Sequence, residues 1–369
     1  MRLTISNRSG RRTRLLVALT AAVALTATAC GGDSDASSGG TSLVLADGAQ
    51  TISAFNAPYS SWAKDHIWKD DGIDVDVEFT QGGTQSAQLV ASGKADVSVV
   101  GLSSALSVAA QSPEVKIIAI TGGNIWHLAV PNDSDVQSLT DLKGKTIGVQ
   151  ALNTGMYLYN RAALNLEGID PDDDVTWLPI GTGAQAAEAL NSGKVDAFAT
   201  YDGPFEVVDG LTEGGMRLLP SPLDELDGSG AWIANAKVLE DHRDELVTFM
   251  QGMSKTAILA QQDPDAIIDY LWEENPDVKP RDVSDEQAMS DTTALVKAYW
   301  SKLANMGPEG SYGVLSDEAV KKAVEFHQDA GIVEGEIDIA KTFDLSVSED
   351  ADDYDHAAVE AEAAKGSVS

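Results

Sequence analysis

From residue 42 the chain alternates short apolar runs with longer stretches in which apolar residues return every three or four positions. Alternation with period two marks strands, and three-to-four-residue spacing marks one face of a helix. Residues 42–46, 73–80, 96–100 and 115–121 are therefore expected as strands, with helices at 58–68, 84–91 and 104–110. Pro58 suits a first helical turn, where a missing N–H costs nothing. The order then returns, with strands at 146–150, 174–180 and 195–200 and helices at 156–167, 184–191 and 204–211. Strands that alternate with helices pair in parallel and carry the helices on the sheet faces, so the pattern predicts an α/β fold.

The two halves share residues as well as order. Gly83, Gln85, Ala87, Ser92, Gly93, Lys94 and Asp96 recur 100 positions later as Gly183, Gln185, Ala187, Ser192, Gly193, Lys194 and Asp196. Each copy reads as a glycine-rich turn, a helix, Ser-Gly-Lys-x-Asp and a strand, with the glycine of Ser-Gly-Lys ending its helix in the left-handed region. Short α/β units resemble one another by chance, but seven identities in fourteen positions point to two related lobes that face each other. Beyond residue 240 the pattern is mostly helical, at 242–262, 264–274, 285–306 and 317–328, and these helices are expected to pack on the first lobe. Lobe 1 then comprises residues 42–125 plus 232–345 and lobe 2 residues 126–231, with crossings near 125–131 and 221–233. The tail, 346–369, is acidic and poor in large apolar residues, and is expected to be loosely ordered with room for a short helix.

The first 29 residues have another character. Arg2, Arg8, Arg11, Arg12 and Arg14 form a basic start without acids, followed by an apolar run over 15–29 that fits a signal-peptide core and is short for a spanning helix. Arg11-Arg12 raises twin-arginine export. Arg14 stands where that motif usually has an aromatic, which favours the general route. Cys30, the only cysteine, follows the run directly and resembles the lipidation site of a bacterial lipoprotein. Ala27-Thr28-Ala29 would also serve as an ordinary cleavage site. The expectation is a signal peptide over 1–29 and a lipidated Cys30 opening a flexible tether over 30–41. One cysteine leaves no intramolecular disulfide and no cysteine-based metal site. Losing residues 1–29, with five arginines and no acids, takes the formal charge from −33 to −38. No basic surface can be assembled at that balance, which excludes nucleic acid as a partner.

In α/β sheets ligands bind outside the carboxyl ends of the strands, where helix N-termini offer free N–H groups. Small polar residues crowd four such turns, two per half. Gly83 and Thr84 lie on one, Ser103 and Ser104 on the next, then Asn153, Thr154 and Gly155, and last Thr182 and Gly183. Glycine lets a backbone approach a ligand, and hydroxyls or amides supply hydrogen bonds. Phe55, Tyr59, Trp126, Tyr201 and Trp232 sit near the same edges and can either sandwich a flat ligand or pack in cores. Asp47 and Asp202 follow strands directly, where each can accept a ligand N–H or cap a turn. His127 is either a ligand contact or a satisfied structural residue.

The chain also resembles a known family. Ala57-Pro58-Tyr59 with the stretch from Lys64 to Asp76, Ser92-Gly93-Lys94-Ala95-Asp96, the run DLKGKTIGV at 141–149 and GIDPDDDV at 168–175 are similar to motifs of the type-II solute-binding proteins of ABC importers. Those proteins take sulfonates, nitrate or thiamine-pyrimidine precursors. The resemblance spans about residues 42–330. His66 and Trp68 replace a usual Gly and Phe, and the loop over 47–57 is this chain's own. The resemblance implies a two-lobed, type II periplasmic-binding-protein fold that closes like a flytrap, with the C-terminal helices on lobe 1. It implies an extracytoplasmic lipoprotein, a monomer with a small-molecule ligand and ABC permease subunits as partners.

No catalytic motif and no metal-ligand spacing is present in the sequence, so neither an enzyme nor a cofactor is expected. A pyrimidine-synthase-like enzyme on the same fold is the rival class, and Cys30 lies outside the stretch that would have to supply its cysteine-rich motif. The proposed turns carry no Arg or Lys. With Asp47, Asp202 and the aromatics, that favours a flat nitrogen heterocycle over a sulfonate-type anion.

Overall fold

The computed structural model describes residues 41–152, 154–304 and 311–368. The expected signal peptide, Cys30, nearly all of the tether and Asn153 lie outside the described residues. Two five-stranded sheets organise the described residues. The first takes β1 (Thr41–Asp47), β2 (Ile73–Phe79), β3 (Val97–Gly101) and β4 (Val115–Thr121), with α1 (Gly83–Ala91) and α2 (Leu102–Ala109) between them. The second takes β5 (Trp126–Pro131), β6 (Thr146–Val149), β7 (Thr176–Pro179), β8 (Ala197–Tyr201) and β9 (Met216–Leu218), with α3 (Gly155–Leu166), α4 (Ala184–Asn191) and α5 (Asp202–Leu211). Strand β10 (Gly230–Asn235) then returns to the first sheet.

The strand orders are β2-β1-β3-β10-β4 and β7-β6-β8-β5-β9. Each sheet has three parallel strands from its own lobe, then one antiparallel strand delivered by a crossing: β10 in the first, β5 in the second. The segments expected only as crossings thus become sheet strands. The remaining crossing residues touch through Gly228 N–H to the Gly122 carbonyl at 2.8 Å and Ser229 N–H to the Thr121 carbonyl at 3.1 Å. Gly122 is held at φ +76°, and a Cβ there would come within 2.7 Å of Ser229 Oγ, so a side chain is excluded twice over.

The internal repeat has a structural cause. Asp96 Oδ2 accepts the N–H of Val44 at 2.7 Å, and Asp196 Oδ2 accepts that of Thr146 at 2.8 Å. In both lobes the aspartate ties the first parallel strand to the third. Gly93 and Gly193 adopt φ +65° and +66°, as a left-handed helix end requires.

The C-terminal helices flank the first sheet on both sides. They are α6 (Ala236–Asp241), α7 (Arg243–Gln262), α8 (Asp265–Glu274), α9 (Asp285–Ala304), α10 (Asp317–Asp329), α11 (Ile339–Thr342), α12 (Ser346–Ala351) and α13 (His356–Ala363). Helices α10 and α11 lie on the face that α1 and α2 cover, and α7, α8, α9, α12 and α13 on the face of Trp232. Trp68, Trp232, Phe249 and Trp300 are buried there, each such ring contributing roughly 2–3 kcal/mol. Trp68 stacks on Phe249 at 4.2 Å and donates Nε1–H to its carbonyl at 2.9 Å. The helix expected over 58–68 is two wide turns with i→i+5 character, Pro58–Trp62 and Lys64–Trp68.

The tail differs from its expectation. It forms α12 and α13, and Val347, Ala351, Val359 and Ala363 are buried with the α7 residues in one core. Ser348 Oγ donates to the Ile118 carbonyl at 2.7 Å, and Arg243 pairs with Asp350 at 2.7 Å. Small apolar residues at helical spacing suffice where a receiving face lies ready, and composition alone carries no trace of that face.

Candidate functional site

The carboxyl ends of β2, β3, β6 and β7 carry the predicted polar turns, and those of β1 and β8 carry Asp47 and Asp202. In lobe 1 the structure brings Gly83, Thr84 and Ser104 together. Thr84 Oγ1 lies 3.3 Å from Ser104 Oγ, and a Cβ on Gly83 would stand 3.3 Å from the same oxygen. The N-termini of α1 and α2 are therefore neighbours, with their hydroxyls paired, although the Leu102 N–H of α2 is already taken by the Ser229 carbonyl at 2.9 Å. Ser103 is buried instead, and its N–H goes to the Tyr159 hydroxyl of lobe 2 at 3.2 Å.

In lobe 2 Thr154 Oγ1 closes its turn on the Ala151 carbonyl at 2.8 Å, and Gly155 starts α3. A Cβ at Gly155 would reach within 2.8 Å of the Trp126 ring. Thr182 and Gly183 precede α4 and are half-buried. Trp126 is a packed residue: it stacks on Tyr159 at 4.9 Å and 11°, and meets Tyr201 edge-on at 5.8 Å. Burial raises the Tyr201 phenol above its ordinary pKa.

Three candidates move into the core. Trp232 has no exposed surface, packs edge-on against Tyr59 and Phe249, and donates Nε1–H to the Tyr312 hydroxyl at 2.9 Å. Tyr59 is buried with it. Asp47 is also engaged internally. Its oxygens take the Ala49 N–H at 2.8 Å and Asn56 Nδ2 at 3.2 Å, with Tyr59 as a further donor, and burial raises its pKa above the usual carboxylate value. The alternation of β10 puts Trp232 on the face that α7 covers, which the sequence does not announce.

Asp202 is different. It is the first residue of α5, and its Oδ1 accepts His127 Nε2–H at 2.7 Å and Lys302 Nζ at 2.6 Å. Its Oδ2 is buried, with no hydrogen-bond partner among the described residues. Lys302 comes from α9 on lobe 1, so the carboxylate stands where the lobes meet. Beside it Phe55 of lobe 1 lies so close to Gly203 that a Cβ there would come within 3.1 Å of the Phe55 ring. Phe55 in turn packs edge-on against Tyr299 at 5.1 Å. Sequence reasoning missed Lys302, Tyr159, Tyr299 and His327. Lys302 stands 100 positions from Asp202, and no local pattern links them.

The chain was compared with known proteins. The NMT1/THI5-like family model matches residues 63–267. A relative named "Putative aliphatic sulfonates-binding protein", from Bacillus subtilis (strain 168), is 26% identical over 293 residues, covering 74% of this chain and 86% of the relative. Among solved structures, the alkanesulfonate-binding protein of Xanthomonas axonopodis pv. citri bound to MOPS superposes with a TM-score of 0.60 at 17% identity, covering 82% of this chain and 98% of that one. A protein of Bordetella bronchiseptica RB50 superposes with a TM-score of 0.61 at 21% identity, over 84% and 96% of the two chains. The fold is that of type II periplasmic binding proteins.

Proposed function

The chain belongs to the NMT1/THI5-like family, and from that premise we propose that it is the solute-binding component of an ABC importer. It works as a monomer outside the cell membrane, held there by lipid on Cys30, which membrane fractionation of Cys30→Ala would test. The ligand is a small flat nitrogen heterocycle enclosed between the lobes, which passes to permease subunits without chemical change.

The observation that carries the ligand class is Asp202 Oδ2. A buried carboxylate oxygen without a donor is costly, and a ligand N–H would satisfy it. The other oxygen is already occupied by His127 and Lys302, which fix the carboxylate in place. Tyr201, one residue earlier at the end of β8, offers an aromatic face beside it. Candidate contacts that fit this reading are Phe55, Thr84, Ser104, Thr154, Gly155, Thr182, Gly183, Tyr201 and Asp202.

A sulfonate-type anion is the second reading. It is favoured by the adjacent N-termini of α1 and α2 with Thr84 and Ser104 before them, and by the name of the Bacillus relative. Calorimetric titration of an aminopyrimidine and of an alkanesulfonate into wild type and Asp202→Asn separates the two. For a heterocycle, the amide is a weaker acceptor, and binding should weaken by about 1–3 kcal/mol. For an anion, removing a negative charge should leave affinity unchanged or raise it. Tighter alkanesulfonate binding by Asp202→Asn, with no uptake of the aminopyrimidine by either protein, would sink the heterocycle reading.

A further inference from the structure

The lobes meet at a buried polar contact that neither crossing supplies. Tyr159 lies in the second turn of α3 in lobe 2, with no exposed surface. Its hydroxyl reaches two elements of lobe 1: the Ser103 amide of α2 at 3.2 Å, and His327 Nε2 of α10 at 2.6 Å. The proton positions follow from the partners. His327 Nδ1 lies 2.6 Å from the Ala323 carbonyl, which can only accept, so Nδ1 carries the hydrogen. The neutral ring then has a bare Nε2, and Tyr159 donates its O–H to it. The phenol oxygen keeps lone pairs for the Ser103 N–H. A single proton arrangement satisfies all three groups, and His327, like Tyr159, is fully buried.

The contact sits between the crossings. Trp126, the residue that opens β5 after the first crossing, stacks on the Tyr159 ring at 4.9 Å. Ser229, just before β10 on the second crossing, accepts the N–H of Leu102, the neighbour of Ser103, at 2.9 Å.

We propose that Tyr159, with His327 and Ser103, is a third and noncovalent connection of the hinge, a joint that stays made while the lobes open and close. A contact that broke at each opening would strip partners from three buried polar groups. The Lys302 side chain, by contrast, is 45% exposed, so water replaces Asp202 when that ion pair parts. The joint holds the turn before α2 at a fixed distance from the turn before α3, because Ser103 and Tyr159 lie within their first two turns. Tyr159 is thus a positioning residue, and the Ser103 N–H is withheld from any ligand. This inference rests on the two-lobed fold and is independent of which ligand binds.

Amide hydrogen exchange on the full-length, ligand-free protein tests it. Ser103 lies in the first turn of α2, where no helical carbonyl accepts its N–H. For a permanent joint, the Ser103 amide should exchange as slowly as the amides of Ser98 and Val99 in β3, within about threefold. Exchange of Ser103 about 100-fold or more faster than β3 means that the joint opens with the lobes, and overturns the proposal. Tyr159→Phe keeps the ring and its stacking but removes the hydroxyl. It should speed Ser103 exchange at least about tenfold while leaving β3 unchanged; unchanged Ser103 exchange in that variant also overturns the proposal. Nitrogen-15 spectra of wild-type histidines give a check that needs no variant. His327 should show the Nδ1–H tautomer with a proton-accepting Nε2, and the opposite tautomer would refute the assigned relay.

Discussion

Burial lowers the His327 imidazole to a pKa of about 4, from the 6.5 of an ordinary imidazole. The folded state therefore binds fewer protons than the unfolded state between those two values. Stability carried by the neutral ring is complete above about pH 6.5 and declines as the pH falls toward 4. The loss is on the order of 2–3 kcal/mol across that window. Urea midpoints of wild type and His327→Gln, compared at pH 7 and pH 4.5, should show a steeper acid decline in wild type, although the variant starts lower. Parallel declines would mean that His327 is not buried neutral. The same scale explains why the candidate site was only partly legible. The polar turn residues stand out because glycine, serine and threonine cluster at strand ends. Asp47 and Asp202 look alike in sequence, yet one is saturated by its own turn and the other keeps a vacant oxygen.

At the level of elements, the tail makes the clearest case. Helices α12 and α13 are buried against α7, and α7 carries Phe249, Met250 and Met253 into the main core of lobe 1. Ending the chain after Leu345 would uncover that face. Losing the burial of Val347, Ala351, Val359 and Ala363 should cost on the order of 4 kcal/mol. Chemical denaturation of the truncated protein should show a lower midpoint with a single transition, and an unchanged midpoint would show that the tail is an ornament. The acidic surface of these helices concealed them, because the residues buried toward α7 are small, namely Val347, Ala351, Val359 and Ala363. Helices α7 to α10 were legible since their apolar spacing runs over several turns.

For the whole molecule, two sheets of matched strand order are joined by two crossings and by the proposed Tyr159 joint, an arrangement expected to bend rather than slide. Phe55 and Lys302 of lobe 1 already lie against the first turn of α5, so hinge closure on a ligand is expected to act at this contact. Small-angle scattering should record a smaller radius of gyration when an aminopyrimidine or an alkanesulfonate binds, and the melting temperature should rise with its concentration by mass action. A compound that raises the melting temperature yet leaves the scattering profile unchanged would show that binding does not require closure.

Periodicity and turn chemistry are local, and they sufficed for the parallel strands, the helices between them and the residue repeat, while the ties that Asp96 and Asp196 make came only from the fold. They did not suffice where partners come from distant stretches. Which strand each crossing delivers to which sheet, the placing of Trp232 on the covered face, and the meeting of Asp202 with Lys302 and of Tyr159 with His327 were decided by packing. A side chain's partner across the fold depends on how two elements dock. Docking is set by the sum of many buried contacts, and no single segment of the sequence contains that sum.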